Sequence, residues 1–191
     1  MLSQLRTATA PSHARLDAAF GGLDLSDPAD CARFLSAHAL ALAPLYATFR
    51  SFVEGELALP CPDFPAMLHA DLADRGIALA DLPRDAMSAP SLPEQGAAGI
   101  CYVIAGSRLG NMVIRKEGYF GRDSGMPSRY MEDDTGHAVW KALVPWLGSR
   151  EFGATEREAV ETAALAAFAT FETAFAVSAI APESQIQDIH G

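Results

Sequence analysis

Two stretches decide how this chain reads: Leu5-Arg6-Thr7-Ala8-Thr9-Ala10-Pro11-Ser12-His13-Ala14-Arg15-Leu16-Asp17, and Tyr102-Val103-Ile104-Ala105-Gly106-Ser107-Arg108-Leu109-Gly110-Asn111. Both carry a helical period. In the first, Leu2, Leu5, Thr9, Ser12, Leu16 and Ala19 recur one turn apart, and Gly21-Gly22 close the pattern. Pro11 either kinks this helix or marks a restart capped by Thr9. The second stretch is apolar and is interrupted by two glycines one turn apart.

The rest of the chain follows the same pattern of helices separated by Pro/Gly punctuation. Ser26-Asp27-Pro28 is a start signal, a cap followed by proline at the first helical position. The helix it opens carries Phe34, Leu35, Leu42, Leu45, Tyr46, Phe49 and Val53, with Pro44 placed to bend it. A helix is expected from about Ala66 to Arg75, ended by Gly76, and another from about Gly96 to Ile114. Residues 78–94 read as a loop or a short helix, and 118–127 as irregular. A further helix is expected from Asp134 to Leu147. The last runs from near Thr155, where Thr155-Glu156-Arg157-Glu158 has the form of a capping box, to about Ile180. Ala181–Gly191 reads as a loose tail. No segment alternates as a strand does, so the expectation is an all-α fold of six to eight helices in one domain, 1–191.

Composition agrees. At 191 residues, half of them apolar and one-fifth charged, the chain can bury a substantial core as one globular unit. Its net charge of −10 argues against nucleic acid or an anionic membrane surface as main partner. Arg108, Arg115, Lys116, Arg122 and Arg129 nevertheless cluster, either as a solvated face or as a patch for an anionic ligand or an acidic electron donor. Cys31, Cys61 and Cys101 lack CxxC spacing and read as buried free thiols. The N-terminus has no apolar run of the signal-peptide kind. The best candidate membrane span, Ala154–Ala181, carries several charges. The expected location is the cytoplasm, with no membrane association.

The chemistry lies in the two opening stretches. A neutral imidazole is a good ligand for haem iron, and it needs its second nitrogen held. Asp17 lies one turn after His13, on the same helix face. Arg6 lies two turns before it, about 10 Å along the axis, a distance that suits iron at one end and a haem propionate at the other. A surface histidine beside an aspartate is the plainer alternative. Gly106 and Gly110 each cost about 1 kcal/mol against alanine inside a helix. Either they allow close helix packing, or they let the backbone approach a flat ring, with a kink that frees carbonyls for water.

In register, Leu5, Arg6, Thr9, His13, Leu16 and Asp17 resemble the proximal helix of the haem oxygenase family, bacterial biliverdin-producing branch. Gly106-Ser107-Arg108-Leu109-Gly110-Asn111 resembles that family's distal G-S-x-L-G-G motif. The resemblance implies a helical domain with haem b between the first helix and a glycine-kinked distal helix. It also implies cleavage of haem at a meso carbon with dioxygen and reductant to biliverdin, carbon monoxide and ferrous iron. It assigns His13 as proximal iron ligand, Asp17 as the carboxylate that orients it, and Arg6 and Tyr102 as propionate contacts. Gly106, Ser107 and Gly110 fall on the distal side. Asp17 stands where glutamate is usual, so a water is expected between it and His13. Asn111 departs from the family's second glycine, and its side chain either narrows the pocket or turns away. The implied partners are an electron donor such as a ferredoxin or a reductase, or ascorbate, with a possible link to a bilin-binding photoreceptor or to haem uptake.

Other residues are read more plainly. His38 is expected as a satisfied core or cleft histidine, His69 and His137 as surface or packing residues, and His190 as part of the tail. Phe168, Phe171 and Phe175 are expected as core. No HxxxH or ExxH pair indicates a di-iron site, and neither a nucleophile elbow nor a phosphate-binding glycine loop is present. Two rivals remain. One is a haem carrier on the same fold. The other is a haem-free helical relative of the thiaminase-like kind.

Overall fold

The computed structural model describes residues 1–123 and 125–179, with Glu94 described by its backbone alone. The expected loose tail, with His190, lies outside the described residues. Seven α-helices are present, with no strand among the described residues: α1 (Leu2–Phe20), α2 (Pro28–Gly55), α3 (Phe64–Ala73), α4 (Ala97–Glu117), α5 (Arg129–Glu132), α6 (Thr135–Ser149) and α7 (Ala154–Ser178). Short 3-10 turns fill the segment between α3 and α4.

Local chemistry sets the ends of these helices. The Asp27 carboxylate accepts from the amides of Ala29 and Asp30 and opens α2 ahead of Pro28. Asp63 does the same for α3 through Ala66 N. Pro11 does not restart α1, which continues through it, and Thr9 Oγ1 donates back to Leu5 O at 2.7 Å instead of capping. The expected capping box of α7 does not form. That helix begins at Ala154 behind Gly153, so Thr155 already lies inside the first turn. The single turn of α5 is too short to leave a period in the sequence. It is pinned by the buried Asp71, whose carboxylate accepts from Ser128 Oγ, Arg129 N, Tyr130 N and Arg129 Nη1.

Packing centres on α7, against which α1, α2 and α4 all lie. Its buried face is alanine-rich at the start, with Ala159, Ala163, Ala164 and Ala167, and turns aromatic with Phe168 and Phe171. Small residues bring α4 in close. A Cβ on Gly99 would sit 2.0 Å from Val160 O and 2.8 Å from Ala164 N. By contrast, α1 is held along α7 through side chains. Gln4 donates to Glu161 at 3.3 Å, Arg15 meets Glu172 at 2.8 Å, and the Phe20 and Phe175 rings lie 4.7 Å apart. Helices α1 and α4 scarcely touch each other, which leaves a cleft between them.

Two further observations bear on the sequence expectations. Both α4 and α7 are long and apolar enough to cross a membrane by length and composition, each with a window of mean hydropathy 1.3. Of those windows, 50% and 44% are buried inside the protein, as their central positions require. Cys61 is only half-buried, whereas Cys31 and Cys101 are buried free thiols as expected.

The Gly99 contact predicts a large stability effect. Gly99→Ala forces α4 away from α7 and should lower unfolding free energy by at least about 2 kcal/mol, despite alanine's better helix propensity. Urea denaturation reads this directly, and an unchanged midpoint would refute the close approach.

Candidate functional site

The cleft between α1 and α4 is a cavity of about 810 Å³. From α1 it takes Arg6, His13 and Asp17, and from α4 it takes Tyr102, Gly106, Ser107, Gly110 and Asn111. All eight residues singled out in the sequence therefore face one space, although the two segments lie far apart in the chain. His38 of α2, Trp140 of α6 and Phe168 and Phe171 of α7 help to close it.

On the α1 side, the carboxylate Oδ2 of Asp17 lies 2.8 Å from Nδ1 of His13. The contact is direct, because one helical turn already matches the reach of an aspartate, and no bridging water is needed. It occupies Nδ1 and leaves Nε2 for another partner. The His13 side chain is 61% exposed, and its ring centroid lies 6.0 Å from that of Phe168. Arg6 is exposed and makes no ion pair among the described residues.

On the α4 side the glycines differ in kind. At Gly106 a Cβ would lie 3.4 Å from the Trp140 ring, in packing contact. At Gly110 it would meet no atom within 4 Å outside its own stretch of helix. Helix packing therefore explains Gly99 and leaves Gly110 unexplained. The expected interruption is not seen, since α4 stays helical through both glycines. Three of the four exposed large apolar side chains among the described residues, Leu109, Met112 and Val113, surround Gly110. The Tyr102 ring packs beside Trp140 at 5.7 Å. Ser107 Oγ donates to Ile104 O at 2.8 Å, which spends its proton within the helix and leaves the oxygen as an acceptor.

Sequence reasoning missed Arg108. It is 2% exposed, with its guanidinium over the rings of Phe64 at 4.8 Å and Tyr130 at 4.3 Å. It donates to Tyr130 O and lies 3.8 Å from Asp133 Oδ2. The other arginines of the basic stretch are also engaged: Arg115 with Glu132 and Asp134, Arg122 with Glu132, and Arg129 with Asp71 and Asp74. These arginines are thus paired within the protein, while Lys116 of the same stretch is exposed. Each arginine has acidic neighbours that the sequence places on α3, α5 and the α5–α6 link. His69 is exposed, and His137 is half-buried with an unpartnered Nδ1. Phe168 and Phe171 are core, as expected, and also line the cavity, whereas Phe175 is only half-buried, against Phe20 and Arg33.

His38 is a cleft histidine. Its Nδ1 lies 2.9 Å from Phe34 O, so that nitrogen carries the proton and Nε2 keeps a lone pair. Burial pulls its pKa down from 6.5 to about 4, against the Phe34 hydrogen bond and with some help from the Arg108 charge. Among the described residues no three His, Cys, Asp or Glu side chains gather as a metal site. No family model matches the chain, and no curated protein matches it.

The neutral state of His38 has a pH consequence. The unfolded chain takes up this proton below about pH 6.5 and the folded chain only near 4. Stability is therefore full above that window and falls through it as pH drops, by roughly 3 kcal/mol. His38→Leu should flatten this part of the profile in urea titrations from pH 7.5 to 4. Parallel profiles for the two proteins would contradict it.

Proposed function

We propose that this cavity binds haem b and that the chain is a haem oxygenase on a haem-oxygenase-like helical fold. The observation that carries the reading is the empty space over Gly110, in the same cavity as a histidine whose Nε2 is uncommitted. A helix interior bears the cost of a glycine for a reason, and here no protein atom supplies one.

The donor set suits the group. A haem iron arrives with four ring nitrogens and asks the protein for one axial ligand, so a lone histidine suffices where a bare metal ion would need several side chains. The volume lies in the range of ligand sites. The exposed apolar side chains of Leu109 and Val113, which line the cavity, would be covered by a flat hydrophobic ring.

When bound, haem supplies an iron that activates dioxygen and a porphyrin ring that is itself oxidised to biliverdin, carbon monoxide and ferrous iron. The chain's own residues position and protect. His13 would hold the iron through Nε2, and Asp17 would fix its tautomer and strengthen it as a donor. Arg6 and Tyr102 provide a cation and a phenol for the propionates. Gly106 and Gly110 leave the α4 side of the cavity without side chains at their own positions, where a flat ring would fit, and the Ser107 oxygen would be an acceptor beside it. Electrons come from outside, from a ferredoxin, a reductase or ascorbate.

Haem titration followed by ascorbate in air tests the proposal. The expected result is a Soret band that requires His13, lost on reduction as a biliverdin band grows, with His13→Ala forming neither. A His13-dependent Soret band that persists under reductant would mean a haem carrier. No Soret band would overturn the haem reading altogether.

A further inference from the structure

Asn111 occupies the position where the distal motif it resembles has glycine, yet it is not a passive replacement. The residue is 4% exposed and lines the cavity, one position after Gly110. With its amide oxygen turned toward Arg108, the orientation that satisfies both groups, it accepts from Arg108 Nη1 at 2.7 Å and Nη2 at 3.2 Å. Arg108 cannot easily move away. It packs against the rings of both Phe64 and Tyr130 and is tethered to the Tyr130 carbonyl and to Asp133. The buried guanidinium is a donor on every nitrogen and accepts nothing. It therefore holds the amide oxygen and rejects the amide nitrogen. The NH2 group is the end of the amide that Arg108 does not hold, on a side chain that lines the cavity.

We propose that Arg108 holds Asn111 so that its amide nitrogen is a hydrogen-bond donor to a diatomic ligand on the open side of the bound haem. The inference rests on the haem reading above and adds a specificity determinant to it. Asn111 touches the ligand, and Arg108 is a positioning residue that acts through it. A neutral amide stabilises a polarised diatomic ligand without offering an acidic proton. His38, in the same cavity, is held neutral and protonated only on its Phe34-facing nitrogen, so it offers no competing donor.

Carbon monoxide is the probe. A donor near its oxygen lowers the C–O stretching frequency of the ferrous carbonyl complex, and the same donor slows dioxygen release. The wild-type protein is compared with Asn111→Gly, which removes the side chain, and Asn111→Leu, which keeps its bulk without a donor. Both variants should raise the stretching frequency and speed dioxygen release by about tenfold, the weight of one hydrogen bond to a charge-bearing acceptor. Arg108→Met should split or broaden the carbonyl band as the amide loses its fixed orientation. If that variant does not fold, the Asn111 pair still decides.

A frequency unchanged in both Asn111 variants overturns this proposal while leaving a His13-dependent Soret band, and the haem reading, intact. A Leu variant that matches wild type while the Gly variant differs also overturns it, since bulk alone would then be acting. Absence of a Soret band in the wild-type protein overturns both.

Discussion

The contact between the Gly99 backbone and the Val160 carbonyl is the constraint on which the cavity depends. There α4 lies on α7 with no side chain between them. Further along α7 the alanines give way to Phe168 and Phe171, whose rings line the cavity. Helix α1 sits on another side of α7, kept at side-chain distance by Phe175 and by polar pairs at Glu161 and Glu172. Two helices anchored to a common third one, and not to each other, leave a gap. That gap is where every candidate residue of α1 and α4 meets. A change in residue size along one helix thus converts close packing into a ligand-sized space.

The buried polar groups follow from the same geometry. An arginine in a helical core is costly unless its charge is shared, and Arg108 shares it with two rings, a carbonyl, an asparagine oxygen and Asp133. Asp71 plays the opposite part, a fully buried carboxylate that gathers donors from the start of α5. Together these two residues fix α5, and with it Tyr130, beneath α4. His38 packs against Tyr130 at 5.4 Å and stays neutral beside the Arg108 charge. The cavity wall is therefore held from behind by charge as well as by packing.

Much of this was legible in sequence because it is local. The period of α1 and α4, the cap at Asp27 and the His13–Asp17 pair all depend on residues within a turn or two of each other. The all-helical class followed from them. What was not legible is what crosses the chain. Nothing near Arg108 marks it as buried, because its partners Phe64, Tyr130 and Asp133 come from elsewhere. The arginines that read as an open patch are paired with carboxylates of α3 and α5 and of the link that follows α5. The capping box at Thr155 failed because the helix already starts at Ala154, with Gly153 in the cap position, a boundary that motif spacing does not resolve. Gly99 and Gly110 are the sharpest case. In sequence both are helix-interior glycines of the same kind, and only the packing separates the one that touches protein from the one that does not.

That difference is the centre of the account, and a thermal melt of Gly110→Ala with and without haem tests it most directly. If the space over Gly110 is reserved for a ligand, the haem-free variant melts higher than wild type, by the roughly 1 kcal/mol that alanine adds to a helix, while most of the stabilisation on adding haem is lost. A haem-free variant that melts lower than wild type, with its haem response unchanged, would show that Gly110 serves packing within the protein and would contradict the account.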